Sequence, residues 1–161
     1  MSFFAKMRAE RLIADIKSSS DADATRARKA LEKLGRLGPS AIPRIIDALA
    51  TADKKETAGL VRVLGAALDN KSFPLVAAGL VDGNPRTVAA VTWALSTSRD
   101  YSPQLLYGLL SDPQMPKAQV VSILAAQKSR LAARELLKHA YNQEPAEKAA
   151  LFRIVAEIGD S

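Results

Sequence analysis

The sequence predicts an all-α protein built from stacked helical hairpins, and three observations carry that prediction. One apolar pattern returns five times at a spacing near thirty residues. Prolines stand at matching places between successive copies. The apolar residues are mostly Ala and Leu, with aromatics at only 5% of the chain. That mixture suits close-packed helices better than sheets, which draw on β-branched and aromatic side chains.

The pattern is four slots at i, i+3, i+4 and i+7, closed by a small residue. It reads Ala27, Ala30, Leu31, Leu34 and Gly35, then Thr57, Leu60, Val61, Leu64 and Gly65. It continues with Val88, Val91, Thr92, Leu95 and Ser96, then Lys117, Val120, Val121, Leu124 and Ala125. The fifth copy is Leu151, Ile154, Val155, Ile158 and Gly159. Such spacing lines up one stripe along a helix. In the last three slots of every copy only Thr92 is polar. The final slots lie 30, 31, 29 and 34 residues apart, the period of stacked helix–turn–helix units.

In chain order, Phe3 to Lys17 reads as an amphipathic helix with Ala9, Leu12, Ile13 and Ile16 on its stripe. It is expected to cap the array, since a terminal unit needs a polar outer side. Insertion of Phe3 and Phe4 into an anionic membrane surface is the sharper alternative, and Glu10 and Asp15 count against it. A linker, Ser18 to Asp21, then leads into the repeats. Residues 1–22 are therefore expected to form a cap and linker, and residues 23–161 the array.

A second helix is expected between successive copies. Pro43, Pro74 and Pro103 each lie six residues before a leucine, namely Leu49, Leu80 and Leu109. Proline fits a helix start, where its missing N–H would have had no partner. Ile45, Ile46 and Leu49 should form the buried stripe of the first such helix, and Leu105, Leu106 and Leu109 that of the third. The fourth, around Leu131 to Ala140, has no proline. Asn84-Pro85 and Asp112-Pro113 read as a capping residue followed by the first helical position. Gly35 and Gly38 flank a break before Pro39. The last helix, Pro145 to Ile158, carries an apolar stripe with no second helix to cover it, so the chain is expected to be the N-terminal piece of a longer protein, the alternative being a natural C-terminus that packs only backwards on the fourth repeat.

The pattern resembles the HEAT-repeat family, in particular the short bacterial variety of phycobilisome lyase proteins. Leu31 to Ala50, LEKLGRLGPSAIPRIIDALA, carries the likeness best, and Asn84 to Ser96, NPRTVAAVTWALS, carries the first-helix half. The resemblance implies a right-handed α–α superhelix, a HEAT/ARM-like solenoid of about four and a half hairpins. It also implies that second helices line the concave side and first helices the convex side. The fourth repeat departs from the family in lacking its proline, and the fifth stops after its first helix. Such a likeness bears on architecture far more than on function.

Chemistry-bearing patterns are sparse. There is no cysteine and a single histidine, His139, so cysteine-based metal sites, disulfides and Cys–His pairs are excluded. No G-x-S-x-G, P-loop or dinucleotide-binding glycine pattern occurs. The paired His-Glu motifs of deoxyhypusine hydroxylase, a HEAT-like enzyme, are missing too. Near a helix end, His139 reads as a favourable partner of the helix dipole. No catalytic, cofactor or metal residue is expected. No apolar run is long enough to span a membrane, no signal peptide is visible, and the expected location is cytoplasmic.

The expected function is a noncatalytic scaffold for another protein. Its default surface is the outward side of the second helices: Arg44, Asp47, Gln104, Tyr107, Glu135 and Lys138. Tyr107 is either an exposed anchor or a ring packed at the seam between repeats. Trp93 occupies the register position held elsewhere by Glu32, Arg62, Ser122 and Ala156, and is read as a wedge against a neighbouring helix rather than an exposed convex contact. Nucleic-acid backbone binding is the runner-up, as in HEAT-like proteins similar to DNA alkylpurine glycosylases; a regulatory or substrate-binding part of an enzyme is the third reading. Net charge is +6, and the stretch from Met1 to Gly38 alone holds nine Lys/Arg against five Asp/Glu. Further cations run through Arg44, Lys54, Lys55, Lys71, Arg86, Arg99, Lys128, Arg130, Arg134 and Lys138. They are mixed with acids and have few aromatics among them, which speaks against a nucleic-acid stripe.

Overall fold

Local chemistry sets where each helix starts and stops. In the computed structural model, which describes residues 3–18 and 24–159, the helices are α1 (Phe3–Ser18), α2 (Ala24–Arg36), α3 (Ile42–Leu49), α4 (Lys54–Ala67) and α5 (Phe73–Ala77). They continue with α6 (Pro85–Thr97), α7 (Leu105–Ser111), α8 (Lys117–Ala126), α9 (Ala133–Ala140) and α10 (Pro145–Gly159). Short 3₁₀ turns precede α3 at Gly38–Ala41, extend α5 at Ala78–Val81 and precede α9 at Lys128–Arg130. No strand occurs among the described residues, so the protein is all-α. Of the linker expected at Ser18 to Asp21, Ser18 belongs to α1, and the rest, with the boundary between residues 22 and 23, lies outside the described residues.

Three starts show the capping logic. Asp53 accepts the Glu56 N–H at 2.8 Å while the Glu56 carboxylate accepts the Asp53 N–H at 3.1 Å, a reciprocal capping box for α4. The Asp53 carboxyl is held below its ordinary range, chiefly by that backbone N–H. Asp69 and Ser72 repeat the exchange ahead of α5, with two bonds of 2.8 Å. Asn84 accepts from the N–H groups of Arg86 and Thr87 at the start of α6, with Pro85 at the first position. The break before Pro39 turns on Gly38, whose φ of 64° suits a residue without a Cβ.

Two starts differ from expectation. Asp112 accepts the Gln114 N–H at 2.9 Å and so closes a turn instead of capping a helix, and α8 begins only at Lys117, after Pro116. Likewise α7 begins at Leu105, two residues beyond Pro103. The segment before it is held from both sides: Asn70 of the preceding repeat accepts the Ser102 N–H at 2.6 Å, and Arg130 of the following one donates to the Tyr101 carbonyl.

Packing follows the apolar stripes. Along one row α2 meets α4, α4 meets α6, α6 meets α8 and α8 meets α10. The intervening helices bridge the row: α3 packs on α4, α5 and α6, and α7 on α8 and α9. α1 lies over α2 and α3, burying Ala9, Leu12, Ile13 and Ile16. The second and fourth slots are deeply buried through the first four copies: Ala30 and Leu34, Leu60 and Leu64, Val91 and Leu95, Val120 and Leu124. The third slot is not the centre of the stripe: Leu31, Thr92, Val121 and Val155 are half-buried. Ala94 and Ile123 are buried in its place, while the second copy buries its third slot, Val61, together with Val63. Besides its neighbours in the row, α4 is covered by α3, α6 by α3 and α5, and α8 by α7, so the buried arc widens beyond a single stripe. Thr92 settles its hydroxyl on the Val88 carbonyl at 2.7 Å. In the fifth copy Leu151 and Ile154 are buried, whereas Ile158 is only half-buried. In α7 the buried residues are Leu106, Tyr107, Leu109 and Leu110, and Leu105 is half-buried.

Helix C-termini leave carbonyls without intrahelical partners, and here the next unit supplies donors. Ser98 donates to the Gly65 carbonyl at the end of α4. Gln127, the equivalent residue one unit later, places Nε2 at 2.9, 3.1 and 2.8 Å from the carbonyls of Leu95, Ser96 and Ser98. The Tyr101 hydroxyl also donates to Leu95, and burial pushes that phenol up to about 12. Arg130 lies over the Tyr101 ring and donates to Gln127 Oε1 at 3.0 Å.

One close approach needs glycine. A Cβ on Gly79 would stand 2.6 Å from Val91 Cγ2, and a β-branched core side chain has little room to yield. Gly79→Ala is therefore expected to lower stability by about 1–3 kcal/mol, the usual cost of overpacking. Thermal melts of the single variants and of Gly79→Ala with Val91→Ala check this. The second change should recover part of the loss, and an unchanged melt for Gly79→Ala would contradict the packing.

Candidate functional site

The residues expected to form a binding surface on the second helices are largely engaged with one another. Arg44 Nη1 lies 3.6 Å from Glu10 Oε1 and 3.6 Å from Asp47 Oδ2, so it joins α1 to α3. Glu135 and Lys138 pair within one turn of α9 at 3.4 Å. Gln104 accepts a hydrogen bond from the Ser102 hydroxyl. Tyr107 is not an exposed anchor: it is 6% exposed, and its ring stacks on His139 with centroids 4.3 Å apart. Burial, with the nearby Glu135 charge, raises the Tyr107 phenol above its ordinary value. The ring lies between α7 and α9, one hairpin apart, which is the seam that the alternative reading of this residue named. His139, in the last turn of α9, is thereby a stacking partner as well as a helix-end residue.

A different surface stands open. Trp93, on α6, keeps 47% of its surface exposed. It is therefore not the buried wedge the sequence suggested; it stands over the seam between α4 and α6. Each side of it has a shallow hollow. One, of about 570 Å³, is lined by Ala52, Asp53, Lys54 and Thr57 and by Arg86, Ala89 and Ala90. The other, of about 540 Å³, is lined by Ala58, Val61, Arg62, Gly65 and Ala66 and by Thr97, Ser98, Arg99 and Asp100. The first hollow takes the starts of both helices and the second takes their ends, so α4 and α6 run in the same direction with the groove between them.

The groove owes its form to residue size. Along α4 the facing positions are Thr57, Ala58, Val61, Gly65 and Ala66, and along α6 they are Ala89, Ala90 and Thr97. Small side chains at i, i+3 and i+4 leave a trough where larger ones would interlock. Lys54, Arg62, Arg86 and Arg99 stand at its edges, and none has an ion-pair partner among the described residues. Asp53 and Asp100 are the carboxylates on the lining, and Asp53 is turned into the α4 cap. Sequence reading singled out Trp93 from its odd place in the register. It did not pair that ring with Arg62, Ala58 or Ala66, which come from α4 in another unit.

A third hollow, of about 400 Å³, lies among Leu110, Ser111, Pro113 and Lys117 and the start of α10, but there Lys117 is spent on the Leu109 and Asp112 carbonyls. No cluster of three His, Asp or Glu side chains suited to a metal ion occurs among the described residues. None of the described helices is long and apolar enough to cross a membrane. No family model, no curated protein and no solved structure matches the chain.

Proposed function

We propose that the chain is a noncatalytic scaffold: a right-handed α–α superhelix of about four and a half HEAT-like hairpins that docks another protein. The thirty-residue recurrence of the stripes supports the architecture, and so does the row of α2, α4, α6, α8 and α10, each packed on the next. The observation that carries the function is Trp93, half exposed between two hollows floored by small residues. Large aromatic rings left open beside a trough are the common anchors of protein interfaces. Preformed helices on both sides mean that little ordering entropy opposes binding.

Trp93→Ala tests the proposal. The ring is half exposed and its loss should shift the melt by less than about 1 kcal/mol, while removal of a central anchor should weaken partner capture from cell extract at least about tenfold. Undiminished capture by a variant that still melts like the parent would show that the groove is the wrong surface. Capture of nucleic acid that washes off with added salt would favour the phosphate-binding reading instead.

A further inference from the structure

We propose that the occupant of the α4/α6 groove is an acidic amphipathic helix of a partner protein, an inference that rests on the scaffold reading above. The cations along the groove set the charge of its occupant. Lys54 and Arg86 border the hollow at the helix starts, and Arg62 and Arg99 border the hollow at the helix ends. None of the four is paired among the described residues. Of the two carboxylates present, Asp53 accepts the Glu56 N–H at 2.8 Å and serves its own helix. The charge left to meet a partner is therefore positive at both ends of the trough.

The shape of the groove sets the form of its occupant. α4 has 14 residues and α6 has 13, which makes a trough about 20 Å long at 1.5 Å per residue. A third helix can lie along two parallel helices when their facing side chains are small, because the backbones then approach closely. Residues seven apart on that helix stand about 10 Å from each other on one face. One large apolar side chain then fills the hollow beside Ala89, its partner fills the hollow beside Ala66, and Trp93 packs between them.

A nucleic-acid strand suits the groove less well. Successive bases need successive aromatic platforms, and Trp93 is the only ring on either lining. A continuous phosphate chain would also have to pass Asp100. A peptide carries discrete charges and can place its carboxylates on the four cations alone.

The test begins with a displayed library of helical peptides, each as long as α4, in which acidic, neutral and basic outer faces are equally represented and paired apolar residues stand seven apart. Peptides enriched on the parent protein but not on Trp93→Ala should be acidic. One enriched peptide is then synthesised and titrated against the intact chain. Trp93 is the only tryptophan, so its emission should shift to the blue on binding. Reversing the charge of Arg62 and Arg86 to Glu should weaken that titration at least about tenfold with an unchanged melt. A neutral or basic enriched pool, binding that ignores the charge reversals, or stronger binding of a single-stranded oligonucleotide would overturn the inference. If capture from extract still depends on Trp93 while no acidic peptide is enriched, the scaffold reading stands and the acidic-helix inference fails. If capture survives Trp93→Ala, both fall at this groove.

Discussion

Leu64→Asp is expected to abolish the cooperative helical melt. Leu64 is the final slot of the second copy, is fully buried, and sits on α4 between its neighbours α2 and α6. Aspartate there removes a packed side chain and puts a carboxylate in the buried core. Lost packing alone costs about 2–5 kcal/mol, and the buried polar group adds several more. Domains of this size have only about 5–15 kcal/mol to lose. Leu64→Met keeps volume and polarity and should cost less than about 1.5 kcal/mol. Circular dichroism against temperature separates the two: a parent-like melt for Leu64→Asp would mean that the stripe does not face the core.

Gln127→Leu should be the most damaging change that keeps the side chain close to its original size. The amide is 2% exposed and shares its two protons among three carbonyls at the end of α6. Its oxygen also accepts from Arg130. Leucine takes the amide donor from all three carbonyls and the amide oxygen from Arg130, and unsatisfied buried groups cost about 1–3 kcal/mol each. Tyr101 still donates to Leu95, and Arg130 Nη1 still reaches the Ser98 carbonyl at 3.5 Å, so the total should settle near 3 kcal/mol, or about 6–12 °C in Tm for a chain of this length. Denaturant unfolding gives the value directly, and a loss under about 1 kcal/mol would mean that water replaces the amide at no cost.

Much of the fold was legible because it is periodic. The stripe of four slots, the proline starts at Pro43 and Pro74 and the cap at Asn84 are local signals, and local signals survive reading in one dimension. Asp112-Pro113 misled because Asx turns and helix caps use the same residue pair. Tyr107 stayed open between an exposed anchor and a packed ring because the register describes α7 alone, and only the approach of α9 brings His139 over its ring. Gln127 carried no visible signal beyond being polar, since its acceptors lie about one repeat earlier in the chain. The groove was half legible: Trp93 stood out against its register equivalents, while Lys54, Arg62, Ala58 and Ala66 belong to it only because α4 packs beside α6.

The most direct test of a docking groove on this face is site-specific photo-crosslinking in cell extract. The crosslinking residue would replace Ala58, which lines the second hollow beside Trp93, or Leu75, an exposed side chain on α5 in the other set of helices. The account predicts a discrete protein adduct from position 58, removed by adding Trp93→Ala, and none from position 75. A discrete adduct from position 75, with position 58 silent, would contradict it and return the partner to the second-helix surface.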